Sequence, residues 1–532
     1  MIHKLLTLAI ISLLILGCNN EDNTIQPEET SEEVDTTPPV LSIVDLQEEL
    51  ENGIEVATTL NISIQDESNT VSTSVLINAR EILKSNQKSF SFEINPFDFP
   101  NGENTLSIVS SDSEGNQSEQ TQTFEVNKLL VSIAAPLVPS DSQLFFSVNT
   151  MDGDLVAFAP VNRPLEIVKL YANDNFTVQP IVVTSYEMQP QSINKASLES
   201  IANIQPGTNL VGFQEAAGLR TENTVDTSPY LDNGIVLDIT GITTEKLANS
   251  LFGAGFNHGA TSHNIVSQNS EYTAQLFFRF QQSQTVRNAI IYPSGFFIDP
   301  EEEQISIEDY KYLFIQNPSN STFSFQDFKI PATTEYVNIP SSTTSYLVRT
   351  FGFSDNEAFV NNDFRYIYDL NFENINNTVE VPVIDEFQIL RNSLLLNLDD
   401  RRRLEVSTLG FKDITLPDWT AVRSGNTINM SGELDKFTLS FILGDNPDIS
   451  MAWSFTDKYT ENYEMPFETF VFPDEFINYA NEQSLSLVDF NTRGIFRVEQ
   501  FNSSEPLDYE ELLFSIFTYT QLGDVYILRT DL

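Results

Sequence analysis

One cysteine, three histidines and two tryptophans in 532 residues set the first limits on this chain. With Cys18 as the only thiol, no disulfide can form within it, and its stability must come from packing. Imidazole chemistry is confined to His3, His258 and His263. The last two sit in Gly253-Ala254-Gly255-Phe256-Asn257-His258-Gly259-Ala260-Thr261-Ser262-His263, a spacing that does not match the His-Glu-x-x-His of a zinc protease helix. No Gly-x-Ser-x-Gly elbow is present to pair with either histidine, so both read as loop residues. These glycines make no phosphate cradle either, because the spacing is wrong and the lysine is missing. Basic residues are also scarce, 27 against 76 acidic ones, for a net charge of −49. Such a chain repels nucleic acid and anionic headgroups, which makes both poor candidate partners. No apolar run reaches the roughly 20 residues that a membrane-spanning helix needs.

What the chain does have begins at its start. His3 and Lys4 precede an apolar run, Leu5 to Leu16, and Gly17 leads into Cys18. Positive charge, a dozen apolar residues and then a small residue is the order of a secretory signal peptide. The ending Ile15-Leu16-Gly17-Cys18 resembles the lipobox of bacterial lipoproteins. That resemblance implies a diacylglyceryl group on the Cys18 thiol, cleavage after residue 17, and Cys18 as the lipidated first residue of the mature chain. Losing residues 1–17 removes one base and no acid, leaving 26 against 76 and a net charge of −50.

Asn19 to Thr37 carries seven acidic residues and no basic one. Too little apolar surface is present to offset its ordering entropy, so residues 18–37 are expected to be a lipidated cysteine and solvated tether. Its nineteen residues after Cys18 reach at most about 60–70 Å when extended. Glu21 and Asp22 close behind the cysteine resemble the surface-export signal of Bacteroidota lipoproteins, which implies the outer face of the outer membrane.

Forty phenylalanines and seventeen tyrosines suit half-buried strands. Beyond Asp35-Thr36-Thr37-Pro38-Pro39, short alternating runs recur: Val40 to Val44, then Leu60-Ile62-Ile64, Phe90-Phe92-Ile94, Leu106-Ile108 and Phe124-Val126. Asn101-Gly102 and Asp112-Ser113-Glu114-Gly115-Asn116 punctuate them as turns, and the pattern predicts an antiparallel sandwich over 38–127. The Thr-Pro-Pro opening and the Asp-x-x-Gly-Asn turn resemble a bacterial immunoglobulin-like domain, which implies a spacer role.

Further strands are predicted at Leu144 to Val148 and Leu155 to Phe158 around an Asp152-Gly153 hairpin turn. Others are predicted at Phe176 to Thr184, Ile235 to Ile239, Leu276 to Phe280, Tyr312 to Ile315, Ser345 to Val348, Leu394 to Leu398, Leu404 to Val406, Phe437 to Ile442 and Tyr526 to Arg529. Two short helices are expected, Thr244 to Phe252 and Pro473 to Asn481. Gln-Leu-Phe-Phe occurs at Gln143 and again at Gln275, consistent with two sandwich units, the first resembling the regulatory β-sandwiches of exported carboxypeptidases in strand order. The reading is an all-β chain of tandem antiparallel β-sandwiches, with segments 128–240, 241–385 and 386–532 after the first domain.

Carboxylates are abundant enough that a glycoside-hydrolase pair is not excluded by composition. Asp152 with Asp154, Asp399 with Asp400, and Asp445 with Asp448 read as turn residues, with calcium binding as the alternative. Arg401-Arg402-Arg403 is the one dense positive patch. It reads either as a salt-bridged turn or, with Trp419 close behind, as a site for an anionic glycan or partner, since arginine forks match carboxylates and sulfates. The expected function is a lipid-anchored cell-surface β-protein that presents a binding surface without catalysis or cofactor. Alternatives are a glycan-binding accessory lipoprotein of a nutrient-uptake system, and a carboxylate-dependent glycan hydrolase. The expected partners are the membrane, through the anchor, and a glycan or an outer-membrane protein.

Overall fold

A computed structural model describes residues 35–44, 50, 53–67, 71–135, 142–162, 166–189, 196–210, 235–243, 251–254, 260–268, 271–279, 288–293, 310–361, 363–373, 377–443, 451–465, 469–483, 495–504, 509 and 523–532. The leader, Cys18, most of the tether, His258, and Asp445 with Asp448 lie outside these residues. The chain divides into two compact units: Met1–Asn52, Thr58–Ile94 and Glu103–Phe124 form one, and Gly53–Ala57, Asn95–Gly102 and Glu125–Leu532 form the other.

The described residues of the first unit form two sheets. Strands β1 (Val40–Val44), β2 (Thr58–Gln65) and β5 (Ser89–Ile94) run in the order β1-β2-β5. Strands β3 (Val71–Ile77), β4 (Arg80–Ser85), β6 (Gly102–Asp112) and β7 (Gln117–Val126) run in the order β4-β3-β6-β7. Period-two alternation places Leu60, Ile62 and Ile64 of β2, Val75 and Ile77 of β3, and Leu106 and Ile108 of β6 in the interior. Each such side chain, fully buried, contributes about 1.5–3 kcal/mol. The β3–β4 hairpin closes through Asn78 and Ala79, both at positive φ, the twist that a two-residue turn requires.

The second unit is organised by one twelve-stranded sheet. Its strands are β9 (Gln143–Thr150), β10 (Leu155–Pro160), β12 (Ile181–Met188), β13 (Ala196–Ile204), β23 (Thr343–Phe353), β24 (Arg365–Glu373), β26 (Ile389–Leu398), β27 (Arg403–Leu409), β30 (Lys436–Leu443), β31 (Met451–Lys458), β33 (Ile495–Ser503) and β34 (Val525–Asp531). They lie in the order β10-β9-β12-β13-β31-β30-β33-β34-β27-β26-β23-β24. This sheet crosses both positions, near 240 and near 385, where domain boundaries were expected from sequence.

Smaller sheets complete the unit: β11-β8-β14, from β8 (Leu129–Ala134), β11 (Ile167–Tyr171) and β14 (Thr208–Leu210); β17-β18-β15-β21, from β15 (Ile235–Ile242), β17 (Ala260–Gln268), β18 (Glu271–Arg279) and β21 (Ser321–Ser324); and β16-β19-β20, from β16 (Leu251–Ala254), β19 (Asn288–Pro293) and β20 (Leu313–Gln316). The last two are β22-β25, from β22 (Thr333–Asn338) and β25 (Thr378–Val383), and β28-β29-β32, from β28 (Thr420–Ser424), β29 (Thr427–Ser431) and β32 (Asn462–Glu464). Among the described residues, the α-helices α1 (Asn356–Val360) and α2 (Asp474–Glu482) are short.

The all-β class is as read from sequence, but the pairing is not purely antiparallel. β13 pairs with β31, β14 with β8 and β15 with β21 in parallel. Two element predictions need correcting. The strand expected from Phe176 begins at Ile181, directly after Pro180, whose ring removes a ladder donor and fixes φ. Of the helix expected at Thr244 to Phe252, residues 244–250 lie outside the described set, and Leu251 and Phe252 are strand residues of β16 paired with Pro293 and Tyr292. His263, expected in a loop, lies on β17 opposite Leu276. The second helix starts at Asp474, with Pro473 as its N-cap.

One face of the large sheet is packed along much of its width. Phe437, Leu439 and Phe441 of β30 and Trp453 and Phe455 of β31 form a core with Phe476 of α2 and with Ile428 and Met430 of β29. Trp453 is fully buried, and its indole N–H donates to Ser200 Oγ at 2.8 Å. Further across, Val348, Leu394, Leu396, Leu404 and Val406 pack with Val337, Val379 and Trp419. The opposite face carries an apolar core at the β9-β12 end, where Phe146, Val148 and Val183 meet Val131, Ile133 and Leu170 of the β11-β8-β14 sheet.

Candidate ligand-binding face

The register of the large sheet determines which side chains share its second face beyond that core. Residues directly opposite in paired strands point to the same side. One row across the sheet runs Thr456, Thr438, Glu499, Arg529, Arg403, Asn397 and Ser345, on β31, β30, β33, β34, β27, β26 and β23. A neighbouring row runs Glu199, Ser454, Ser440, Arg497 and Asp531. On the other side lies a row of Lys436, Phe501, Ile527 and Glu405. Alternation on each strand explains the polarity: Phe437, Leu439 and Phe441 go to the core, so Lys436, Thr438 and Ser440 must face away from it.

Hydrogen bonding along the central row is uneven. Thr438 and Thr456 hydroxyls meet at 2.9 Å, and Asn397 Nδ2 donates to Ser345 Oγ at 2.9 Å. Arg529 Nε donates to Glu499 Oε2 at 2.9 Å, and its terminal nitrogen reaches the same carboxylate. Arg403 lies between these pairs, directly opposite Arg529, and its Nε is buried without a hydrogen-bond partner. Two like charges facing each other across a ladder repel, and the Glu499 carboxylate bonds Arg529. In the next row Arg497 Nε donates to Asp531 Oδ1 at 2.8 Å.

Burial perturbs the acids and the lysine around this face. Glu199 is pushed up to about 7 by burial, against the opposing pull of Lys436. Burial likewise carries Asp457, on the opposite side of β31, up to about 6, although the Asn203 side chain and the Lys458 N–H stabilise its charged form. Lys436 is itself held below its ordinary value by burial, with Glu499, Asp435 and Glu199 resisting that shift, and its ammonium stands 4.9 Å from the Phe501 ring centre.

The arginine run sits at the edge of this face. Arg401 and Arg402 belong to the β26–β27 turn, where Leu398 N donates to Arg402 O at 2.9 Å and Arg401 N donates to Leu398 O at 3.2 Å. Arg401 is exposed and holds φ at +68°, a left-handed conformation that costs a non-glycine residue about 1–2 kcal/mol. Arg402 pairs with Asp400 at 2.7 Å, and Asp400 also accepts from the Arg402 N–H. Burial works against the charge on Asp400, but these Arg402 contacts outweigh it and keep its carboxyl below the usual range. Thus Arg402 forms the salt-bridged turn, while Arg403 enters the sheet beside Arg529. Trp419 joins the apolar core that also contains Leu398 and Leu404, is 7 % exposed, and offers little ring face to a sugar.

Sequence reasoning missed Arg529 and Glu499, because only cross-strand register sets Arg529 beside Arg403 and Glu499 beside Arg529. It also missed a group of acids in the first unit. Carboxylate oxygens of Asp35, Asp112 and Glu114 lie within 4.8 Å of one another. Asn116 N and Nδ2 donate to the two Asp112 oxygens at 2.8 and 2.7 Å. Burial raises the Asp112 carboxyl, but these bonds and further backbone N–H groups of the turn bring it below its ordinary value. Asp152 and Asp154 flank the hairpin glycine, where Asp154 N donates to Thr150 Oγ1 at 3.1 Å.

No protein-family model matches the chain, and no curated protein matches it in sequence. Among solved structures, a bacterial ice-binding adhesin of 1.5 MDa aligns at 12 % identity over 54 % of this chain and 99 % of its own, with a TM-score of 0.16. SGBP-B of the Bacteroides ovatus mixed-linkage glucan utilization locus, solved with a mixed-linkage heptasaccharide, aligns at 10 % identity over 66 % of this chain and 93 % of its own, with a TM-score of 0.14. A calcium-stabilised adhesin of an Antarctic bacterium aligns at 8 % identity over 71 % and 100 %, also with a TM-score of 0.14. Overlaps this shallow leave the functional question to the chain's own residues.

Proposed function

We propose that the chain is a lipid-anchored, surface-displayed β-protein that binds a ligand on the polar face of its large sheet and performs no catalysis. The observation that carries this reading is the asymmetry of that sheet. One face is packed into apolar cores, while the rows on the other are mostly Ser, Thr, Asn, Lys, Glu and Arg, with Asn397 exposed and Arg403, Arg497, Glu499 and Arg529 half-buried. The lipobox-like ending at Cys18 and the acidic stretch behind it support attachment at the membrane with the β-units held in solution.

Treating intact cells of the source bacterium with an added protease, followed by immunoblotting, tests the display. Loss of the chain, together with release of a Cys18→Ala variant into the soluble fraction, is the expected outcome. Full protection of the wild-type chain in cells with an intact outer membrane would overturn the surface assignment.

A further inference from the structure

We infer that Arg403 and Arg529, with Arg401 at the adjoining turn, form a binding site for the carboxylate or sulfate group of an acidic oligosaccharide. The inference rests on the binding-face reading above and gives that face a ligand class. Three observations carry it. Arg403 and Arg529 are direct cross-strand partners, so their guanidinium groups leave the sheet on the same side. Arg529 is committed to Glu499, whereas Arg403 Nε is buried and unpaired, flanked by residues that have already paired elsewhere in the row. A buried donor without an acceptor is costly, and an oxyanion toward which the Arg403 side chain turns would satisfy it. Finally, Arg401 occupies a left-handed turn position where glycine would be unstrained, and strain held at an exposed charged residue points to use of that charge.

The surroundings narrow the ligand. A chain with 76 acidic residues disfavours a densely charged polymer, so the ligand's negative groups must be few or widely spaced. Thr438, Ser440, Ser454 and Asn397 offer hydroxyl and amide partners on the same face, which suits a hydroxylated molecule. Half-buried Phe501 and Ile527, side by side in the neighbouring row, offer an apolar strip for the C–H face of a sugar ring. A planar carboxylate or a sulfate fits the arginine fork geometrically. A uronic-acid or sulfated sugar meets all of these conditions together.

The test is calorimetric titration of the full mature chain, purified in detergent, with a galacturonate trisaccharide, a galactose trisaccharide, sodium sulfate and sodium phosphate. Binding of the galacturonate trisaccharide, weakened by added salt and reduced tenfold or more by Arg403→Gln, is expected. Arg401→Gly should weaken it at least threefold while raising the unfolding temperature, and it serves as the variant that cannot fail by misfolding. Arg80→Gln, which removes an exposed arginine of β4 in the first unit, should leave affinity unchanged. Sulfate competing where phosphate does not would favour a sulfated ligand over a uronate within the same site. Unchanged affinity in either Arg403→Gln or Arg401→Gly overturns the site. Equal binding of the neutral trisaccharide, indifferent to Arg403→Gln, also overturns it while leaving the binding-face reading standing. Failure of every probe overturns the ligand class, whereas failure of surface display would be read in the protease experiment.

Discussion

At the scale of single residues, the polar face of the large sheet holds ionisable groups in unfavourable settings. Glu199 is the most informative. Its folded-state value of about 7 lies above the ordinary 4.5 because burial disfavours its charge. The folded chain therefore holds a proton there that the unfolded chain has released. The associated stability is fully present below pH 4.5 and is lost as pH rises through 7. Glu199→Gln should remove that dependence and raise stability at pH 8 by about 1–3 kcal/mol. Chemical denaturation at pH 5 and pH 8 checks it, and an equal loss at both pH values would refute the assignment. Lys436 keeps Glu499 and Asp435 as favourable neighbours in that variant.

At the scale of elements, most strands follow from period-two alternation, and their ends from local chemistry. Val40–Val44 is the strand read from sequence, and the Asp152-Gly153 turn joins β9 to β10 with Gly153 at φ +98°. The errors have equally local causes, as Pro180 shows by delaying β12 to Ile181. The short β-sheet formed by β28, β29 and β32 owes its seating to a glycine. Gly432 follows β29 at φ +126°, and a Cβ there would lie 2.2 Å from Trp419 Cδ1. Gly432→Ala should cost at least about 2 kcal/mol through backbone strain and displacement of the indole. A thermal unfolding midpoint within one degree of wild type would contradict that account.

At the scale of the whole molecule, the twelve-stranded sheet governs what can fold alone. Six of its strands lie in 386–532, and β13 and β23 each lose a partner if that segment is removed, because β13 pairs with β31 and β23 with β26. Residues 128–385 expressed alone should therefore aggregate or unfold without cooperativity, having exposed strand edges and half of a core. A soluble fragment with a sharp thermal transition would show instead that the sequence-based boundary at 385 marks an autonomous domain.

The class of the molecule follows from its residues alone. Alternating apolar residues, abundant phenylalanine and turn residues at short intervals dictate strands, because each strand must bury one face, and a single cysteine confines the chain to packing for its stability. The sequence also marked Arg401, Arg402 and Arg403 as the positive patch. Tertiary structure decided how these parts were used. It separated Arg402, paired with Asp400, from Arg403, set beside Arg529, and it drew Trp419 into a core. The reason is that alternation specifies which side of a strand is apolar but not which strand lies next to it. Pairing of β13 with β31, some 250 residues apart, and of β27 with β34 depends on which apolar faces pack together when the whole unit closes.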